Sequence, residues 1–141
     1  MAGETRQQAF ERLCRDNGLL AVYLFGSRAD DGLKLLRGEA VAGEGSDLDV
    51  GVVFPFGAGS LREVVRIEIE LQEVLEPLRV DLVPLDRVDS LFQAKIIDGH
   101  RIFAADSTQA NLHELLVMRR AADLLPQQRQ RELELFGVST S

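Results

Sequence analysis

Three aspartates and one small turn are the residues of this chain whose types and spacing point to chemistry. Gly26-Ser27-Arg28 follows the apolar run Leu24-Phe25, and Ser46-Asp47-Leu48-Asp49-Val50 opens another. Side chains alternate along a strand, so Asp47 and Asp49 share one face while Leu48 and Val50 anchor the opposite one. Asp81 stands alone in Val80-Asp81-Leu82-Val83. Carboxylates gathered on neighbouring strands repel one another unless cations neutralise them. Mg²⁺ takes carboxylate and phosphate oxygens with water completing its octahedron, and two such ions clamp the attacking and leaving oxygens of a phosphoryl or nucleotidyl transfer. Asp81 is then a third ligand, or the general base for the attacking hydroxyl. A glycine directly after a strand lets the backbone approach a phosphate, where Ser27 offers both its hydroxyl and its N–H. Arg28 either donates to phosphate oxygens or lies in solvent.

The elements that must position these groups are legible from periodicity. Ala9, Phe10, Leu13 and Cys14 recur at helical spacing between Thr5 and Asn17, and Asn17-Gly18 is a plausible stop. Leu19 to Phe25 reads as a buried strand and Asp47 to Phe54 as a second, ended by Pro55, Gly57 and Gly59. Between them Ala29 to Gly45 is glycine-rich and charged, with Leu33, Leu35 and Leu36 forming at most a local helical turn. From about Asp30 to Gly45 the segment is expected to be a mobile loop with few buried contacts. Ser60 and Glu63 form a capping box for a helix from Leu61 to Glu76 with a wide apolar face, and Pro77 stops it. Arg79 to Pro84 is the third strand, Val88 to Ile97 a short helix, and Arg101 to Ala105 the fourth strand after Asp98-Gly99. Asp106 or Ser107 caps a last helix that Pro126 is expected to interrupt before the polar segment Gln127 to Glu134.

The bounds agree with one domain over residues 1–141: a core at about 19–105, then a C-terminal helix and tail at 106–141. A length of 141 residues supports a real core. The formal net charge of -7 speaks against general DNA or RNA binding. The single cysteine, Cys14, excludes an internal disulfide and reads as a structural thiol. No apolar run approaches the roughly 20 residues of a membrane span, and the first residues lack an apolar signal core, so the expected location is the cytoplasm. His100 and His113 are too scattered for a zinc site. Glu68 is a possible partner of Arg28, and Lys34 or Arg37 could reach phosphates from the 29–45 segment.

Gly26-Ser27, then Ser46-Asp47-Leu48-Asp49, then Asp81 on a later strand resemble, in that order, the minimal nucleotidyltransferases of the DNA polymerase β superfamily. Ile96-Ile97-Asp98-Gly99-His100-Arg101-Ile102-Phe103 is similar to that family's closing helix, turn and strand. The resemblance covers roughly residues 19 to 105. It implies an α/β (α+β) fold, a mixed four-stranded sheet flanked by helices. It also implies two Mg²⁺ ions, ATP as substrate, and transfer of AMP to a hydroxyl. Carried over, Gly26 and Ser27 hold the triphosphate, with Arg28 beside them. Asp47 and Asp49 bind metal, and Asp81 is the third carboxylate. The 29–45 segment departs from the small members, whose gap between the two motifs is shorter, and puts the aim of Ser27 in question. Small stand-alone members resemble the antitoxin half of a two-gene module whose partner is a HEPN-domain ribonuclease toxin. The alternatives are an antitoxin that acts by contact alone and an aminoglycoside-type enzyme, which usually carries a further substrate domain. A homo- or hetero-oligomer is compatible with either antitoxin reading.

Overall fold

Four strands form the centre of the molecule: β1 (Ala21–Phe25), β2 (Leu48–Val53), β3 (Val80–Pro84) and β4 (His100–Ala104). Around them lie α1 (Arg6–Asp16), α2 (Ala29–Leu36), α3 (Leu61–Val74), α4 (Ser90–Ile97) and α5 (Ser107–Phe136). The computed structural model describes residues 3–55 and 59–136, with side chains as far as 125 in α5. Gly57 and the side chains of the polar segment Gln127 to Glu134 lie outside the described residues. The strand order is β3-β2-β1-β4. β1 runs antiparallel to both β2 and β4, and β2 is parallel to β3. The sheet is therefore mixed and four-stranded, as the resemblance implied.

β1 is buried along its whole length, so its alternation feeds two cores rather than one. Val22 and Leu24 join Leu48, Val50, Val52 and Leu82 on one face, covered by Phe10 and Leu13 of α1, Leu35 and Leu36 of α2, and Ile67 and Leu71 of α3. Ala21, Tyr23 and Phe25 face the other way, against Ile96 of α4 and Ala110 of α5. Gly51 lies on that second face, where an added Cβ would stand 2.5 Å from Ile96 Cγ2. Its missing side chain lets α4 ride against the sheet. α5 is tied down by Tyr23, whose hydroxyl donates to Glu114, and by Arg101, which donates to Asn111 (2.8 Å) and Glu114 (3.1 Å).

Local chemistry starts and ends these helices. Thr5 and Gln8 form a reciprocal capping box on α1, and Gly18 leaves it at φ +64. Ser60, Asp89 and Asp106 each accept from a backbone N–H in the first turn of α3, α4 and α5. Two sequence expectations fail. Pro126 does not interrupt α5, whose backbone runs through to Phe136. The apolar face of α3 is narrower than expected: Val64, Ile67 and Leu71 are buried, but Leu61 and Val65 are exposed.

The largest correction concerns residues 29–45. The first half of this segment is not a loop. α2 spans eight of its residues, with Asp30 and Asp31 in the first turn, where carboxylates suit a helix N-terminus. Ala29, Gly32, Leu35 and Leu36 are buried, and an added Cβ on Gly32 would stand 2.7 Å from Leu24 Cδ1. Val41 packs against the first core, and Gly43 lies against Pro77. Short spacing and Gly32 hid a helix whose stability comes from packing rather than propensity. Leu35→Ala is expected to lower unfolding stability by about 2–5 kcal/mol, read from denaturant midpoints. A change within the error of the midpoint would return the segment to linker status.

Candidate active site

The sheet register brings the predicted carboxylates together. Phe25 pairs with Asp49 across β1 and β2, and Asp49 pairs with Asp81 across β2 and β3. Paired residues point to the same face, so Asp49 and Asp81 stand side by side while Leu48 and Val50 sink into the first core. Asp47 lies one residue before β2 and is exposed, as is Asp81, while Asp49 is half-buried. Burial first, then the charges of Asp81 and Asp47, hold the Asp49 carboxyl above its ordinary range, opposed by Lys95. Among the described residues no three of His, Cys, Asp or Glu stand close enough to cage a metal ion. The backbone gathers the three aspartates into one another's field without closing them around a point.

The Gly-Ser turn meets this row directly. Gly26 adopts φ +77, and a Cβ there would fall 2.2 Å from Asp49 Oδ2. Only glycine leaves that space open. The Ser27 hydroxyl lies 3.1 Å from the Ser46 hydroxyl, next to Asp47. The two motifs therefore touch despite the residues between them. Arg28, the N-cap of α2, follows Ser27 directly, and no side chain caps the helix N-terminus. The Ala29 N–H donates to the Gly26 carbonyl at 3.4 Å, which leaves the amides of Asp30 and Asp31 for an anion.

Arg28 departs from its predicted place at the phosphates. Its side chain is only 9% exposed and turns inward, with Nε donating to Asp31 Oδ2 at 3.0 Å. Nη1 donates to the Glu44 and Ser46 carbonyls at 3.1 and 3.3 Å, and Nη2 donates to the Ala42 carbonyl. The guanidinium thus binds the far end of the 29–45 segment back onto the start of α2 and fixes the approach to Asp47. It is a positioning residue. Arg37 is likewise engaged with Glu39 at 2.8 Å, whereas Lys34 is exposed. Glu68 is half-buried on α3, and Arg28 takes Asp31 as its carboxylate partner.

Lys95, Asp98 and His100, beside the turn, were not singled out by sequence reasoning as site groups. Phe25, Gly26 and Ser27, with Ala29 and Asp30 of α2, form one side of a cavity of about 370 Å³. Lys95, Asp98, Gly99 and His100 form the other. His100 Nε2 lies 3.5 Å from Asp30 Oδ1 across it. The only available signal was Gly99, which leads from α4 into β4; a Cβ there would meet the Leu24 carbonyl oxygen at 2.3 Å. That close approach brings the end of α4 beside the turn. Cys14 and His113 stay outside the site. Cys14 is fully buried, and burial pushes its thiol up. Burial also lowers His113, and its Nδ1 has no hydrogen-bond partner. Among the described residues no helix is long and apolar enough to cross a membrane.

Comparison with known proteins gives consistent results. The sequence profile described as polymerase beta, nucleotidyltransferase matches residues 8–108. Among curated proteins, none matches the sequence. A solved toxin–antitoxin structure with AMP-PNP aligns at a TM-score of 0.67 and 18% identity, over 92% of this chain and 98% of that one. A structure of a tri-AMPylated HEPN toxin from Shewanella oneidensis in complex with an MNT antitoxin aligns at 0.66 and 16% identity, over 93% and 96%. At these identities the likeness is one of fold. A chain provisionally assigned as a minimal nucleotidyltransferase is 32% identical over 67% of this chain and 85% of its own, with a TM-score of 0.50.

Two substitutions test the geometry. Gly26→Ala places a side chain at positive φ, costing about 1–2 kcal/mol in backbone strain, and pushes against Asp49. It is expected to abolish triphosphate binding in calorimetric titration while the far-ultraviolet circular dichroism stays native. Arg28→Met removes the clamp on the 42–46 carbonyls and is expected to cost about 1–3 kcal/mol of stability. Amide hydrogen exchange should accelerate at 42–47 and stay slow in β1. Unchanged exchange at 42–47 would contradict the clamp.

Proposed function

Because the chain belongs to the polymerase β nucleotidyltransferase family, we propose that it transfers AMP from ATP to a hydroxyl of a HEPN-type toxin and serves as that toxin's antitoxin. The observation that carries this reading is the row Phe25–Asp49–Asp81, with Gly26 closed against Asp49 and α2 opening uncapped beside it. Such a row places like charges together for no structural gain and is useful where cations and phosphates meet. The fold neighbours support the choice of nucleotide and acceptor: one is a toxin–antitoxin structure with AMP-PNP, another a HEPN toxin carrying AMP groups beside an MNT antitoxin.

The donor set fits Mg²⁺. Carboxylate oxygens are hard ligands, and a bound cation would offset the burial, and then the charges of Asp81 and Asp47, that raise Asp49. Bound Mg²⁺ would neutralise the phosphate charge and polarise the reacting phosphorus. We assign Asp47 and Asp49 as its principal ligands and Asp81 as the third carboxylate. Gly26 and the Ser27 N–H and hydroxyl hold the triphosphate. In the reaction the acceptor oxygen bonds to the α-phosphorus, the bond to the bridging oxygen of pyrophosphate breaks, and pyrophosphate leaves. The hydroxyl proton passes to a base, for which Asp81, exposed on the edge strand β3, is the assigned group.

One observation favours a second reading, inhibition by contact. α5 exposes Leu112, Leu115, Leu116, Met118 and Leu125 with Arg119 and Arg120 among them, a mixture of apolar and arginine side chains that protein interfaces favour. The test is to establish whether a HEPN protein is encoded beside this one, mix the two with ATP and Mg²⁺, and weigh the toxin by mass spectrometry. An AMP-sized increase is expected, and Asp49→Asn is expected to give none while leaving the protein folded. Toxin inhibited at unchanged mass would favour contact alone. The absence of any complex would remove the antitoxin reading and leave a nucleotidyltransferase with another acceptor.

A further inference from the structure

The cavity beside the Gly-Ser turn contains a cation that the reading above does not use. Lys95 projects from the last turn of α4 into the space bounded by Gly26 and Ser27. The other charged lining groups are Asp30, Asp98 and His100, and His100 is turned to Asp30. Among the described residues Lys95 makes no ion pair within 4.0 Å; its Nζ lies 6.0 Å from the centre of the Phe92 ring. The end of α4 carries partial negative charge from its open carbonyls, and Asp98 adds to it. A triphosphate entering from the Gly26-Ser27 side would meet this negative field unless a cation stood in the way, and Lys95 stands there.

We propose that Lys95 is a phosphate-binding residue, whose ammonium pairs with the β- and γ-phosphates of the nucleotide across the cavity from the Gly26-Ser27 turn. The assignment rests on the nucleotidyltransferase reading and adds a binding group from the element opposite the turn. A lysine suits this place because its point charge on a flexible stem reaches phosphate oxygens without a fixed fork. The 6.0 Å distance to the Phe92 ring leaves the ammonium loosely held and free to turn to an anion.

The experiment is equilibrium titration of the protein, in Mg²⁺, with a non-hydrolysable ATP analogue and separately with AMP. Lys95→Met is expected to weaken the triphosphate about tenfold or more, the scale of one lost charge-assisted contact, and AMP by less than about twofold. Lys95→Arg is expected to restore most of the triphosphate affinity. Equal losses for triphosphate and AMP, or a lowered thermal midpoint that Lys95→Arg does not repair, would overturn the assignment in favour of a packing role. Unchanged triphosphate affinity in Lys95→Met, with the natural protein binding normally, overturns the Lys95 assignment alone. A natural protein that binds no triphosphate in Mg²⁺ overturns both this assignment and the reading it rests on.

Discussion

Repulsion among Asp47, Asp49 and Asp81 is the constraint around which this molecule is arranged. Two of these carboxylates occupy paired positions on hydrogen-bonded strands, and the third precedes one of those strands by a single residue. Nothing in their own chemistry holds them there. The frame that does is apolar: Leu48, Val50 and Leu82, their neighbours in sequence, are buried in the core that α1, α2 and α3 share. Burial of such side chains contributes on the order of 1.5–3 kcal/mol each, so Asp49 and Asp81 are held by buried neighbours on both sides and Asp47 by Leu48. Alternation along the strand makes the arrangement possible, since one face can be core and the other a site without any change of backbone.

The segment from α2 to Ser46 solves a second problem, which is aim. A long connection between the Gly-Ser turn and the carboxylates would ordinarily leave their separation unset. Here α2 is packed into the sheet, and Arg28 draws the carbonyls of Ala42, Glu44 and Ser46 back to the helix start. The Ser27 and Ser46 hydroxyls then meet, and the two motifs behave as neighbours. An arginine next to a Gly-Ser turn at the head of a helix invites a phosphate role; its burial and its partners give it a mechanical one.

The sequence made the sheet and its carboxylates readable because their signals are local. Period-two alternation in Asp47–Phe54, the caps at Ser60 and Asp106, and the lone Asp81 in an apolar run each state their meaning within a few residues. What stayed hidden depends on distant packing. α2 is short, contains Gly32, and is stabilised by Leu24 and Leu48, which are remote in sequence. Pro126 reads as a break, and the helix passes through it. The exposure of Leu61 and Val65 follows from which neighbour α3 packs against, something periodicity cannot express. Lys95, Asp98 and His100 carry no motif as a group; the close approach of Gly99 to β1 brings them to the turn.

The bare backbone at Gly51 sets how deep α4 lies over the sheet. Gly51 shares its face with Asp49, two residues away, and Ile96 fills the space a methyl group would need. Lys95 precedes Ile96, so the spacing between the site's outer cation and its carboxylate row is gauged by an atom that does not exist. Any side chain at position 51 would act as a shim, lifting α4 and opening the cavity. A mutational scan scored by turnover would then rank Gly51 with the aspartates, although it touches neither nucleotide nor acceptor.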